Sequence, residues 1–415
     1  MSTELNNNNP EINLLDTRHQ LHPWHSMGVE NSNYMVASKA EGIYIFNEDG
    51  KRFIDGPGGM WSSNIGYGRQ EMADAIAQQV LTLPFSNPWS STTEQSAILA
   101  SKLAEESPGD LNNVFFTTGG STAVDTAIRF AWFYNNLRGK NNKKQIIARQ
   151  KGYHGSTFLS SSVSGKERDK SFMDMGNTRV HFLGNVNPFI RPEGMSEKTW
   201  CDEKINEFSD LVESLGAENI AAFIAEPILA SGGVIVPPIG YHAKCLDICH
   251  KNDILYISDE VVTAFGRLGE FFASKKIFDI EPDIITVAKG ITSGYVPLGG
   301  VLISDRLMEE IKSEKNLVGS KIDLKILDKI SSKNELINLV NGEELIYKDL
   351  AIKSMKCTNS EFDDNPEIKA YIQVRDLTKK NNDKVYVFNG WIFSSSPSIA
   401  PFDHPVYDIW LVSCY

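Results

Sequence analysis

Four stretches of this 415-residue chain carry residue types whose spacing can do chemistry. In DIITVAKGITSGYVPLGG, Lys289 closes an apolar run and opens a Gly- and Ser-rich segment. A lysine partly buried beside apolar or cationic groups has a lowered pKa and becomes a nucleophile. The plainer alternative is a lysine that extends its ammonium from a strand end into water. In ILYISDEVVTAFGRLG, Asp259 and Glu260 end a second apolar run. A carboxylate there costs free energy unless it is paired, so Asp259 reads as the partner of a protonated ring nitrogen, as half of a surface acidic pair, or as a magnesium ligand. In TTGGSTAVDTA a strand ends, Gly119 and Gly120 follow, and Ser121 and Thr122 open a helix. Helix N-termini present unpaired N–H groups and partial positive charge. Glycines there let an anion approach, which makes a phosphate cradle; an ordinary glycine turn with a serine N-cap is the alternative. No Gly-Lys-Ser/Thr follows, so this is not a Walker loop. In KGYHGST, Tyr153 sits just past a strand and either offers its flat π-face to a heterocycle or is a surface tyrosine beside a surface histidine.

These residues meet only if the surrounding elements bring them to one edge. EGIYIFNEDGKRFIDG alternates apolar and polar residues around an Asp-Gly pair and predicts a hairpin. EMADAIAQQVLTL and TTEQSAILASKLAEES have amphipathic helical periodicity. Strands and helices then alternate: VFFTT, QIIARQ, IAAFIAEP, ILYISDE, DIITVAK and GGVLIS as strands, STAVDTAIRFAWFYNNLR and GYHAKCLDICHKN as helices. Near-continuously apolar strands separated by helices predict an α/β fold with a mostly parallel, doubly covered sheet. Ligands of such sheets gather at the carboxyl ends of the strands. That rule selects Thr118–Ser121, Gln150–His154, Glu226, Asp259 and Lys289. An anion cradle, a ring cover, an acid for a pyridine nitrogen and a reactive lysine are what pyridoxal 5′-phosphate requires of a protein.

Composition sets the outer bounds. Hydrophobic residues make up 41% and charged residues 23%, ordinary for a globular protein, and the length predicts two or three domains at about 150 residues each. The net charge of -12 argues against nucleic acid or an anionic membrane as partner. No apolar run is long enough to cross a bilayer, and the polar start MSTELNNNNPEINLL reads as a loose tail without a secretion signal. The five cysteines form no CxxC pair. Cys245 and Cys249 share a helix face that reads as buried rather than metal-binding.

Residues from about 20 to 311 resemble class III (omega-type) aminotransferases of PLP fold type I. The stretches that carry the likeness are GIYIFNEDGKRFIDG, IGYGRQEMADAIAQQ, FFTTGGSTAVDTAIRF, GYHGST, AEPILASGG, DEVVTAFGRLG and AKGITSGYVPLGG. The resemblance implies a role for each matching residue. Lys289 stands as the Schiff-base lysine, Asp259 as the partner of the pyridine nitrogen and Val261 as the residue packing one ring face. Tyr153 would stack on the ring, Gly120 and Ser121 would bind the phosphate, Glu226 would organise the site, and Trp61 would line the substrate pocket. Thr122 stands where the family usually has Glu or Ala, and Ala264 where it usually has Gly. The implied activity is transfer of an amino group from an amine or omega-amino acid to a keto acid such as pyruvate, in a cytoplasmic homodimer without metal.

After Ile311 the likeness ends. The family's Thr-Tyr-Ser-Gly-His-Pro-like motif and its later substrate-binding Arg are not found. The reading divides the chain into an N-terminal small-domain segment (1–65), a PLP-binding large domain (66–311), a Lys/Glu/Ser/Asn-rich linker with helical tendency (312–340) and a β-rich module (341–415). From about Lys325 the tail resembles a small domain of unknown function from exported alphaproteobacterial proteins, on LDKISSKNELINL, LAIKSMKC and FNGWIFSSSPSIAPFDHPVYDIWLVSC. Cys357 and Cys414 can pair where such proteins are exported; behind a cytosolic enzyme without a signal they are expected reduced. His404 and Asp408 read as packed, hydrogen-bonded residues rather than catalytic ones. The alternative to an active enzyme is a catalytically impaired, truncated aminotransferase fused to an unrelated β module.

Overall fold

Ile220–Ala225 is apolar along its whole length and buried on both faces, as a strand must be when helices cover its sheet from either side. The sheet around it belongs to the first of two compact units, Met1–Glu309 and Glu310–Tyr415. The structure is a computed structural model describing residues 10–23, 34–88, 91–171, 179–314, 318–359, 367–378, 386–395, 402 and 404–415.

The first unit opens with helix α1 (Pro10–His19). Part of the stretch read as a loose tail is therefore helical, and its residues 1–9 lie outside the described residues. Strands β1 (Ala37–Glu41), β2 (Tyr44–Asn47) and β3 (Arg52–Ile54) form an antiparallel sheet. Its β2–β3 hairpin turns at Asp49–Gly50, where Gly50 takes φ +75°, a conformation open to glycine at no steric cost. A short helix α2 (Gly58–Trp61) and the amphipathic helices α3 (Gln70–Thr82) and α4 (Glu94–Glu106) lead to the main sheet.

That sheet uses β4 (Asn113–Thr117), β5 (Gln145–Arg149), β6 (Val180–Leu183), β7 (Ile220–Ala225), β8 (Leu255–Asp259), β9 (Ile284–Val287) and β10 (Gly299–Ile303), in the order β4-β10-β9-β8-β7-β5-β6. Every strand but β10 runs the same way. Helices α5 (Gly120–Leu137), α6 (Phe158–Val163), α7 (Glu197–Leu215), α8 (Tyr241–Lys251) and α9 (Ala273–Phe278) connect the strands, and α10 (Asp305–Glu314) follows the last. Phe208, Phe223, Tyr256, Cys245 and Cys249 pack in one buried cluster, each large side chain contributing about 1.5–3 kcal/mol. The carboxyl ends of β4, β5, β7, β8 and β9 share one edge, and β10 enters from that edge with Gly299 opposite Thr117.

The second unit corrects the expected linker. Residues 321–340 are not helical but form β12 (Lys321–Asp328) and β13 (Lys333–Val340), after the short β11 (Val318–Gly319). In KIDLKILD the charged residues alternate with Ile322, Leu324 and Ile326, all fully buried. This is the period of two of a half-buried strand, hidden from composition by the lysines. Strands β14 (Glu344–Tyr347), β15 (Leu350–Thr358), β16 (Lys369–Asp376) and β17 (Phe388–Phe393) join β11 in one sheet; β18 (Tyr407–Cys414) joins β12 and β13 in a second. Side chains of both sheets share one apolar core.

The cysteines of this unit are a second correction, because Cys357 and Cys414 are disulfide-bonded, not reduced. The pairing places them together: Gly319 opposes Cys357 on β15, and Ile322 opposes Cys414 on β18. A side chain at Gly319 would overlap both sulfurs. His404 lies between the rings of Phe402 and Tyr407, its Nδ1 accepting from the Val406 and Tyr407 amides, and Asp408 pairs with Lys329. Ser396 and Pro397, part of the tail's likeness, lie outside the described residues.

Candidate active site

The strand-end edge of the first unit opens into a cavity of about 470 Å³ lined by Trp61, Gly120, Ser121, Tyr153, Glu226, Asp259, Val261 and Lys289. All eight residues singled out from sequence therefore border one space. They arrive on six separate segments of the chain, so the site depends on the sheet order rather than on any one local motif.

The cradle begins at the end of β4. Gly119 is the N-cap of α5. A Cβ added at Gly119 would meet nothing within 4 Å, whereas one at Gly120 would stand 3.0 Å from Val261 Cγ1. The α5 N-terminus is thus open at Gly119 and packed by Val261 at Gly120, and both glycines line the cavity, so the helix N-terminus there is suited to a phosphate. Gly299 closes the cradle from behind, since a Cβ there would lie 2.6 Å from the Gly119 carbonyl oxygen. The Tyr153 loop is pinned onto the cradle: the Ser156 amide donates to Ser121 Oγ at 3.0 Å, and Thr157 Oγ1 donates to the Ser121 carbonyl at 3.2 Å.

Glu226 ties two loops together. Its Oε1 accepts from the Tyr153 amide at 2.9 Å and its Oε2 from the Ala230 amide at 3.0 Å. Burial pushes its carboxyl above the usual range, with His154 opposing that shift and Asp259 adding to it. Burial also raises the Tyr153 phenol, and the charge of Asp169 reinforces it.

Asp259 ends β8 and is held on both oxygens. His154 Nδ1 lies 2.6 Å from Oδ2, and both side chains are almost fully buried. Thr286 Oγ1 donates to Oδ1 at 3.0 Å, and the Val261 amide does so at 3.2 Å. His154 was selected by the strand-end rule but given no role, and Thr286 was not singled out; both hold Asp259. The signal for Thr286 is its register, directly opposite Asp259 on β9; for His154 it is its place beside Tyr153 in GYHGST. Glu260 points the other way and has no part in the cavity. It accepts from the Ala273 and Ser274 amides at 2.7 and 3.0 Å, seating the start of α9, and burial raises its carboxyl.

Lys289 follows β9 with φ +47°, a left-handed conformation that costs a lysine roughly 1 kcal/mol or more. Burial lowers its ammonium's pKa, and the charges of Asp259 and Glu226 oppose that shift. Trp61 reaches the cavity from the N-terminal segment, also at positive φ. That segment is fastened by Asn64 Nδ2 donating to the Phe265 carbonyl and by the Ile65 amide donating to Ser293 Oγ, both at 2.9 Å.

Residues 26–320 match the family described as aminotransferase class-III. The chain belongs to the class-III aminotransferases. A vanillin aminotransferase from Capsicum annuum is 39% identical over 294 residues, which are 69% of this chain and 63% of that relative. A putrescine–pyruvate aminotransferase from Pseudomonas aeruginosa is 40% identical over 281 residues, 66% of this chain and 60% of its own length. The chain thus spans about three fifths of the curated relatives it matches. Among solved structures, an omega-transaminase from Thermomicrobium roseum superposes with TM-score 0.70 at 36% identity, covering 73% of this chain and 68% of that one. The omega transaminase of Pseudomonas jessenii in complex with PMP gives TM-score 0.70 at 36% identity, over 72% and 67%. Class-III aminotransferases depend on pyridoxal phosphate. Residues 322–414 match a separate family, an uncharacterized protein conserved in bacteria (DUF2155). Among the described residues no helix is long and apolar enough to cross a membrane.

Proposed function

We propose that this chain transfers amino groups from an amine or omega-amino acid to a keto acid such as pyruvate, with pyridoxal 5′-phosphate held in the strand-end cavity. The observation that carries this reading is the meeting of Lys289, Asp259, Tyr153 and the bare Gly119–Gly120 cradle in one space. When bound, pyridoxal phosphate supplies an aldehyde that takes up the amino group and a ring that accepts the electrons released as the donor's α-proton departs.

The residues do the rest. The α5 N-terminus and Ser121 hold the phosphate. Asp259, fixed by His154 and Thr286, keeps a proton on the pyridine nitrogen. Val261 and Tyr153 confine the ring between them. Lys289, its proton affinity weakened by burial, would hold the cofactor through Nζ, and the same Nζ would be the base that moves the donor's α-proton. Trp61 excludes water from the donor's side.

A homodimer is part of the proposal. The end of α3 and the residues after it carry Val80, Leu81, Leu83 and Phe85 in exposed positions, Leu81 at 84%, an apolar patch of the kind subunits cover. A cytoplasmic setting goes with this reading and is consistent with the free Cys201, Cys245 and Cys249, while the Cys357–Cys414 disulfide of the second unit points to an oxidising one. A second reading, an impaired enzyme joined to an unrelated module, is favoured by one observation: the class-III match stops at 320 and the other family begins at 322.

A visible-absorption titration with pyridoxal phosphate, beside Lys289→Ala, tests both. A band that requires Lys289 and bleaches with amine is expected. A Lys289-dependent band that no amine bleaches supports the impaired reading, and no Lys289-dependent band removes the enzyme reading.

A further inference from the structure

Arg149 ends β5 and, among the described residues, is the largest side chain to be fully buried, at 1% exposure. Its Nε and Nη1 meet no acceptor there. Its Nη2 donates to the Glu226 carbonyl, and its guanidinium stands 5.8 Å from the centre of the buried Tyr241 ring. A cation taken out of water for one neutral acceptor and one ring is costly. An apolar side chain would suit the core better, so the arginine's place calls for a reason other than stability.

The one hydrogen bond it makes falls on the peptide that carries Glu226. The next carbonyl, that of Pro227, accepts from His242 Nε2 at 2.9 Å. A carbonyl only accepts, so the ring proton sits on Nε2, and the Tyr256 hydroxyl donates to Nδ1 at 2.6 Å. Two consecutive carbonyls after β7 are thus fixed by buried side chains. Beyond them the Glu226 carboxylate holds the Tyr153 and Ala230 amides. The backbone of Arg149 is equally confined. Its carbonyl accepts from the Gly152 amide at 3.1 Å, and a Cβ at Gly165 would lie 2.1 Å from that oxygen.

Resting on the aminotransferase reading for what the cavity holds, we propose that Arg149 is a positioning residue for the strand-end cavity. It joins the foot of the Tyr153 loop to the Glu226 peptide. Through the Glu226 carboxylate it sets where Tyr153 and Ala230 stand on the cavity wall. Arg149 does not itself line the cavity, so it acts on the bound cofactor only through these residues. The reach and directed N–H of the guanidinium, rather than an ion pair, account for its burial.

The test uses the full chain. Arg149→Met fills the space with an apolar side chain, and Arg149→Lys keeps a donor. Arg149→Met removes a buried charge but leaves a carbonyl unpaired, so its melting temperature should stay within about 3 °C of wild type. In the apoprotein, hydrogen exchange of peptides covering residues 150–157 and 226–233 should quicken about tenfold, while β8 and β9 keep wild-type protection. Half-saturation by pyridoxal phosphate, read from the visible band, should rise about fivefold, and the circular dichroism of that band should shrink. Arg149→Lys should recover much of both. In a Glu226→Ala chain, Arg149→Met should add little to the half-saturation, because the effect runs through the carboxylate. Quickened exchange in the two peptides, in a chain whose wild type forms no Lys289-dependent band, would keep the positioning role and remove the aminotransferase reading. Unchanged exchange in the two peptides overturns the proposal. So do a formed band with wild-type cofactor affinity in Arg149→Met, full additivity with Glu226→Ala, and a loss of protection that spreads through β8 and β9.

Discussion

His154→Ala removes the partner of Asp259 Oδ2 from a site where both side chains are at most 3% exposed. Nothing from solvent replaces it readily, so the loss is that of a hydrogen bond to a buried charged group, about 1.5–3 kcal/mol. In a unit of this size about 2–4 °C of melting temperature goes with each kcal/mol, which gives a fall of roughly 3–12 °C for the apoprotein. Asp259 keeps Thr286 and the Val261 amide on Oδ1 but is free to turn about that oxygen, so it meets the pyridine nitrogen less well. If about 1.4 kcal/mol of the loss falls on the cofactor, half-saturation by pyridoxal phosphate rises about tenfold. The band should still form, because Lys289 is untouched. His154→Asn places an amide N–H near the position of Nδ1 and should recover much of the affinity. Differential scanning fluorimetry and the absorption titration measure the two parts separately. A His154→Ala protein that melts lower but binds the cofactor as wild type does would refute a positioning role. One that also melts as wild type does would refute the hydrogen bond's importance altogether.

Three further outcomes are expected. Glu260→Ala strips the seat from α9 and should destabilise by roughly 3 kcal/mol, while Glu260→Gln, which keeps an acceptor oxygen, should cost less; urea unfolding separates them. His242 lies between the Tyr256 hydroxyl at 2.6 Å and the Pro227 carbonyl at 2.9 Å, and burial, helped by the charge of Arg149, pushes it down from 6.5 to about 3. Between those values the unfolded chain binds a proton that the folded one refuses, so stability falls as pH drops below 6.5, by about 1.4 kcal/mol per unit. His242→Gln should flatten that slope in urea midpoints taken at pH 7, 6 and 5, and equal slopes would contradict the assignment. Replacing Cys357 and Cys414 with serine opens a link spanning 57 residues, which should destabilise the second unit by about 4 kcal/mol and leave cofactor affinity unchanged. Thiol counting on the denatured, unreduced protein should find Cys201, Cys245 and Cys249 alone.

The strands of the first unit were legible because they are apolar from end to end, and most of the site residues because they end such a strand or stand within four positions of its end; Trp61, on α2, is the exception. What composition could not convey was which polar atoms meet. Thr286 lies within an apolar run and gains meaning only from its register against Asp259. His154 could be taken for a surface residue because its burial comes from the loop after β5 reaching Asp259 at the end of β8, not from its neighbours in sequence. A surface pair was one reading of Asp259 and Glu260, yet the two are buried and bind different partners, Asp259 to His154 and Thr286, Glu260 to the Ala273 and Ser274 amides. The β12 strand was misread for the opposite reason: its lysines and aspartates dominate the composition, and only the alternation betrays the three buried aliphatic residues.

The opposed directions of Asp259 and Glu260 make β8 a counting device. Inserting or deleting one residue between Leu255 and Asp259 would exchange the two acids, sending the glutamate toward the cofactor and the aspartate toward the amides of Ala273 and Ser274. Neither exchange fits, since the side chains differ by a methylene and the atoms they address are fixed by other strands. The segment therefore tolerates changes of residue identity far better than changes of length, and a library that varies its apolar positions among apolar residues should yield folded proteins where one that adds or removes a single residue should not.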